Sequence, residues 1–189
     1  MRKLIVFNHV SLDGFIADAQ GDMSFFHGGA DDAEWNAFVE GNASGGGTLL
    51  FGRVTYDMMA SFWPSPMAAQ RLPLVAERMN SLPKVVFSRT MDAASWQNTR
   101  LVKGELADEV RKMKNEPGSG MAIMGSGTIV SQLTEAGLID EYLIVVNPLV
   151  LGSGRTMFQS IRERTPLRLT KTRSFQNGKV LLCYDRTKA

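Results

Sequence analysis

Three short stretches of this chain combine residue types suited to holding an anion. Gly125-Ser126-Gly127-Thr128 follows the apolar run Met121 to Met124 and leads into a helical pattern, in which Ile129, Leu133 and Ala136 form one stripe and Gly137 a stop. Glycines let a ligand approach the backbone, and the free N–H groups and dipole of a helix amino end favour negative charge, so a phosphate or pyrophosphate suits such a turn. The second stretch, Gly52-Arg53-Val54-Thr55, also links an apolar run to a helical pattern. A cation in a first helical turn is opposed by the dipole unless it reaches an anion or a nearby carboxylate. Phosphate would resolve that conflict, gripped by the guanidinium with Thr55 as a further donor. The third stretch is Ser88-Arg89, directly after Lys84 to Phe87.

Each stretch has an ordinary alternative. The first could be a tight connection without a ligand, Arg53 a structural salt-bridge partner, and Ser88-Arg89 a solvated loop. The first turn is neither a Rossmann fingerprint, since Val130 stands where a third glycine belongs, nor a P-loop, since no Gly-Lys-Ser/Thr follows.

Positioning these turns requires strands and helices in alternation. Leu4 to Phe7, Thr48 to Phe51, Lys84 to Phe87 and Met121 to Met124 are short apolar runs of the kind buried on both faces of a parallel sheet. In such sheets ligands gather at the carboxyl ends of the strands, where all three turns fall. Helical patterns cover residues 31–43, 66–81 and 105–115, and Tyr56, Met59, Ala60 and Trp63 recur at i, i+3, i+4 and i+7. After Gly137 the pattern becomes extended, and Asn177-Gly178 joins the last two strands as a type I′ hairpin pair. The Gly-rich residues 41–48 read as a helix exit and loop, so residues 1–189 form a single domain with an antiparallel carboxy-terminal edge.

The whole-chain properties bound the chemistry. At 189 residues the chain can bury a full core. A formal charge of +2 without a long basic block makes nucleic acid a poor partner. Cys183 is the only cysteine and His9 and His27 the only histidines, which excludes an internal disulfide and a Cys-rich zinc site and leaves metal catalysis unsupported. A reducing cytoplasm fits this usage. The amino-terminal apolar run is interrupted at Asn8 and His9, and no segment approaches membrane-spanning length.

In order, "HVSLDGFIA", "FGRVTY", "LPKVVFSR", "IMGSGTIVSQLTEAGLIDEY" and "NPLVLGSGRTMF" span nearly the whole chain. This set resembles the dihydrofolate reductase-like superfamily, especially stand-alone relatives of the carboxy-terminal reductase domain of the bifunctional riboflavin-biosynthesis deaminase/reductase. The resemblance implies a three-layer α/β fold: a mixed, mainly parallel sheet of about eight strands, helices on both faces and a carboxy-terminal antiparallel hairpin. It implies NADPH across the strand ends, with Gly52, Arg53 and Thr55 in the phosphate site and Ser88 and Arg89 at the adenosine 2′-phosphate. Gly125, Ser126, Gly127, Thr128 and Ile129 would hold the pyrophosphate, and Ile16 and Ala17 would lie near the nicotinamide. Family members commonly form homodimers, and either the final hairpin or "MMASFWP" could supply an apolar contact. In "NPLVLGSGRTMF", Gly152 and Gly154 read as structural.

Reduction of C=N or C=O also needs a proton, from a poised acid or from water. Folate reductases carry a carboxylate on the first helix and an aromatic residue one turn later, a spacing met here by Asp32 and Trp35. Asp32 is thus the candidate acid, ahead of Asp31 or Glu34, although helix capping explains Asp31 or Asp32 equally. Asp13 is a second candidate on the substrate side, with a turn role as its alternative. The zinc deaminase signature is absent. The resulting expectation is an NADPH-dependent reductase of a pterin, folate or pyrimidine, with a ribosylaminopyrimidine reductase and a non-catalytic NADPH sensor as rivals.

Overall fold

The computed structural model describes residues 1–26, 32–43 and 47–187. The elements are β1 (Leu4–Ser11), β2 (Phe15–Ala17), a 3-10 turn over Ser24–Phe26, α1 (Ala33–Ala43), β3 (Thr48–Gly52), α2 (Arg53–Phe62), α3 (Pro66–Arg71) and α4 (Pro73–Ser81). They continue with β4 (Lys84–Phe87), β5 (Thr99–Val102), α5 (Leu106–Asn115), β6 (Met121–Met124), α6 (Gly127–Glu135), β7 (Glu141–Asn147), β8 (Arg155–Thr156), β9 (Leu167–Ser174) and β10 (Val180–Arg186).

Eight strands form one sheet in the order β5-β4-β3-β6-β1-β7-β10-β9, while β2 and β8 make a separate ribbon. The pairings from β5 through to β7 are all parallel, and β10 is antiparallel to both β7 and β9. The mainly parallel sheet with an antiparallel final pair is therefore as expected. On one face Leu4, Val6, Leu50, Ile123 and Tyr142 pack with Val110, Val130 and Leu133 from α5 and α6. On the other, Leu49, Phe51 and Val86 pack with Tyr56, Val75 and Met79 from α2 and α4. Central strands covered on both faces need apolar residues at successive positions, which is why their runs are readable in sequence.

Two local expectations are corrected. The helical window 66–81 is two helices, because Leu72 precedes Pro73 and adopts φ −142 and ψ 66, outside the helical region. The final hairpin is not type I′, which would need positive φ at both Asn177 and Gly178. The left-handed residue is Gly178 alone (φ 82), and Gly178 N–H donates to Phe175 O at 3.0 Å while Phe175 N–H donates to Lys179 O at 2.9 Å. That is a turn with a glycine bulge, one residue longer than the two-residue loop. The edge strand β5 has no apolar run, since Thr99 and Leu101 are half-buried and Arg100 is exposed.

Lys84, at the start of β4, is buried, and its ammonium donates to Met79 O (2.9 Å), Asn80 O (3.0 Å) and Leu82 O (2.7 Å). It thereby satisfies carbonyls at the end of α4, where a cation also complements the dipole. Burial pushes its pKa down to about 8. Between about pH 8 and the ordinary lysine value, the unfolded chain binds more protons at this position, so rising pH favours the folded state. We expect wild type to gain roughly 1–3 kcal/mol relative to Lys84→Met as pH rises from about 7.5 to 9.5. Denaturant melts of both proteins across that range check it, and parallel pH profiles would refute it.

Candidate cofactor site

Because six neighbouring strands run parallel, the turns leaving β4, β3, β6 and β1 stand side by side along one edge. Ser88-Arg89, Gly52–Thr55, Gly125–Ile129 and Asp13–Ala17 thus share that edge. The middle two turns touch. A Cβ on Gly52 would lie 2.4 Å from Ser126 Oγ, and one on Gly125 would lie 2.7 Å from Thr55 Cγ2. At Gly52 the Ser126 hydroxyl could turn aside, whereas at Gly125 the approach of Thr55 and a φ of 71 together call for glycine.

Gly125 and Ser126 are consecutive left-handed residues, with φ 71 and 52. Such a conformation costs a non-glycine residue about 1–2 kcal/mol, so the position of Ser126 needs external support. Thr55 Oγ1 accepts from Ser126 N–H at 3.1 Å, and Asn8 Oδ1 accepts from Gly125 N–H at 2.6 Å. These contacts occupy two donors assigned by sequence to the pyrophosphate. The remaining donors are those of Gly127, Thr128 and Ile129 in the first turn of α6, which have no intrahelical acceptor. Neither Ser126, at the start of α6, nor Gly52, at the start of α2, supplies a side-chain cap. Two uncapped helix amino ends therefore adjoin, and both dipoles favour an anion between them.

Arg53 Nη1 lies 3.5 Å from Asp57 Oδ2, one helical turn on, and Arg89 pairs with Glu105. Both pairs are largely exposed, and such pairs contribute about 0–1 kcal/mol. Asp57 is the nearby carboxylate that the ordinary reading of Arg53 required, yet so weak a pair leaves either guanidinium free to exchange partners for a phosphate. Ser88 Oγ closes its own turn, accepting from Met91 N–H at 3.1 Å.

At the other end of the edge, Ile16 adjoins α6: a Cβ on Gly127 would lie 3.0 Å from Ile16 Cδ1 and 2.8 Å from Thr156 O. Ala17 pairs with Arg155 in the β2–β8 ribbon, and a Cβ on Gly154 would lie 2.2 Å from Ala17 O. Asp13 accepts from Ser11 Oγ (2.6 Å), Gly152 N–H (2.7 Å) and Leu151 N–H (3.1 Å). The Ser11 hydroxyl first, then these backbone donors, hold its carboxyl below the usual carboxylate range. Asp13 is consequently an ionised tie between two loops, as its turn alternative anticipates, and is unsuited to donate a proton at neutral pH.

Asp32 Oδ1 accepts from Trp35 N–H at 2.9 Å, the geometry of a cap on α1, and Oδ2 accepts from Asn177 Nδ2 at 2.5 Å. Both oxygens are thus engaged, which supports the capping alternative over the acid. Trp35 is buried against His9, Phe38 and Phe175. Asp31 and His27 lie outside the described residues. Sequence reasoning missed Asn8, whose signal was a polar residue within an apolar strand, and Lys179, which is buried and donates to Phe26 O (3.0 Å) and Asn147 Oδ1 (2.5 Å).

The chain matches the RibD C-terminal domain over residues 2–181. It belongs to that family. The Bacillus subtilis (strain 168) protein YyaP is 27% identical over 183 residues, covering 97% of this chain and 94% of its own length. A Shewanella sp. PV-4 structure, provisionally assigned to riboflavin biosynthesis, matches this RibD C-terminal domain with TM-score 0.75 and 25% identity over 98% of this chain and 99% of that one. Dihydrofolate reductase from Enterococcus faecalis, complexed with NADP(H) and RAB-propyl, matches with TM-score 0.62 and 15% identity over 98% of this chain and 97% of that one. That distant match shows a shared fold. Among the described residues no helix is long and apolar enough to cross a membrane.

Proposed function

We propose that this RibD C-terminal domain is an NADPH-dependent reductase that transfers a hydride to a small heterocycle of the pterin, folate or pyrimidine class. The observation that carries the reading is the meeting of two uncapped helix amino ends, where Gly52 and Gly125 let the two turns touch. It draws support from the shared fold with a dihydrofolate reductase complexed with NADP(H) and from the Shewanella relative's provisional assignment to riboflavin biosynthesis.

Bound NADPH supplies the hydride, while the protein supplies binding and orientation. In this reading the Gly127, Thr128 and Ile129 N–H groups hold the diphosphate, and the Thr55 hydroxyl, having accepted from Ser126, still has its own proton to donate. Arg53, Ser88 and Arg89 receive the 2′-phosphate. Ile16 and Ala17 border the nicotinamide, and Trp35 belongs to the substrate side. Asp32 anchors α1 to the final hairpin, which leaves the proton to another group or to water.

Fluorescence titration with NADPH, followed by an absorbance assay over pterins, folates and pyrimidines, tests the proposal. Saturable binding with oxidation by at least one class is expected. Binding without oxidation across the panel favours a sensor, and absence of binding overturns the cofactor assignment. A charge-assisted bond of about 1.5–3 kcal/mol to the 2′-phosphate predicts a roughly ten- to hundredfold preference for NADPH over NADH. Arg89→Ala should erode that preference and leave NADH affinity within about threefold. Equal affinity of the unmutated protein for both cofactors contradicts it.

A further inference from the structure

Asn8 stands in the cofactor site without a role in the reductase reading, on which this inference rests. The buried row of β1 is Leu4, Val6, Asn8 and Val10, and its three apolar members pack in the core with α5 and α6. Asn8 occupies the third place in that row with only 4% of its surface exposed. Parallel pairing of β1 with β6 runs from Leu4 with Met121 to Phe7 with Met124 and stops. The next residues are Asn8 on β1 and Gly125 after β6, and here a side chain takes over from the backbone. Asn8 Oδ1 accepts from Gly125 N–H at 2.6 Å, while Nδ2 donates to Met157 Sδ at 3.0 Å and lies 3.5 Å from Gly125 O. Met157 follows Thr156, the β8 residue whose O would lie 2.8 Å from a Cβ on Gly127. One amide thus joins β1, the β6–α6 turn and the end of the β2–β8 ribbon.

Burying an amide in an apolar row costs desolvation that a leucine or valine at this position would not incur. Unlike them, the amide can hold the peptide of a glycine, the residue with most freedom to turn. Gly125 and Ser126 are both left-handed, a conformation disfavoured for a residue with a side chain such as Ser126. Two bonds keep the pair there, from Gly125 N–H to Asn8 and from Ser126 N–H to Thr55. Without the first, the turn relaxes, and the free N–H groups of Gly127, Thr128 and Ile129 lose their common aim before the cofactor arrives. Binding must then restore that order, which lowers affinity.

We infer that Asn8 is a positioning residue, which acts through the Gly125 peptide to pre-set the diphosphate-binding turn. Both nicotinamide cofactors carry the diphosphate, so Asn8→Leu should weaken NADPH and NADH binding by the same factor, at least about tenfold. Their affinity ratio should stay within about threefold of wild type, the opposite of the Arg89→Ala signature. Asn8→Asp adds a pH profile. Its ionised carboxylate still accepts from Gly125 N–H but turns an acceptor toward Met157 Sδ and Gly125 O, whereas the protonated carboxyl restores the donor. The groups that meet this side chain are uncharged, so burial favours the protonated form and moves ionisation above the ordinary carboxylate range. NADPH affinity of Asn8→Asp, taken relative to wild type, should therefore fall about tenfold between about pH 6.5 and 9. Calorimetric titration of wild type with NADPH comes first, and failure to bind overturns the reductase reading together with this inference. If wild type binds but both folded variants lose only melting temperature, with affinity and pH profile unmoved, this inference alone falls. In the unmutated protein Gly125 N–H should exchange with solvent at least about tenfold more slowly than Gly127 N–H, and equal rates overturn the proposal even if neither variant folds.

Discussion

Gly154→Ala is expected to lower stability by about 3 kcal/mol, near the upper end of what overpacking costs. The added Cβ would lie 2.2 Å from Ala17 O, 3.2 Å from Ala17 C and 3.3 Å from Asp18 Cα. All three neighbours are backbone atoms, so no side-chain rotation relieves the overlap. Separation of β2 from β8 is the available response, which would also disturb Ile16 and Thr156 beside Gly127. For a chain of this size that loss corresponds to a melting temperature lower by about 6–12 °C. Gly152→Ala provides the comparison, because Gly152 is left-handed (φ 74) but has nothing within 4 Å of a built Cβ. It should cost only about 1–2 kcal/mol, the conformational penalty alone. Thermal melts that show equal shifts for the two variants would contradict this account of the ribbon.

Gly125→Ala should weaken NADPH binding by roughly ten- to hundredfold, from combined strain of about 1–3 kcal/mol at the turn. Its Cβ would meet Thr55 Cγ2 at 2.7 Å and Oγ1 at 3.1 Å, on a backbone with φ 71. Thr55 is buried in the first turn of α2 and β-branched, so it has little rotational freedom to yield. Moving it breaks the bond from Ser126 N–H and loosens the start of α6. Thr55→Ser removes the clashing methyl and keeps the hydroxyl, so the double variant Gly125→Ala/Thr55→Ser should recover about tenfold of the lost affinity. A Gly125→Ala protein that binds NADPH within threefold of wild type contradicts the proposed geometry.

The parts legible in sequence were those whose physics is local. Buried parallel strands show as apolar runs, and glycine turns at their ends mark where the backbone must reverse without a side chain. Gly137, with φ 66 and its N–H bonded to Thr134 O, ends α6 as its position suggested. Contacts across the sequence were less accessible. Asn8 breaks an apolar run for a reason visible only when Gly125 lies beside it, 117 residues away. Lys179 looks like an ordinary hairpin lysine until Phe26 and Asn147 surround it. Arg53 stands against the helix dipole, and its partner Asp57 is one helical turn away, a local pair that follows once residues 53–62 are helical. The Asn177-Gly178 pair suggested its commonest turn, whereas the Asn177 side chain is drawn to Asp32 and only Gly178 is left-handed.

The most direct test is a crystal structure of the protein with NADPH bound. The account predicts the diphosphate within hydrogen-bonding distance of the Gly127, Thr128 and Ile129 N–H groups, and the 2′-phosphate near Arg53 or Arg89. A diphosphate found away from both the α2 and α6 amino ends would contradict it.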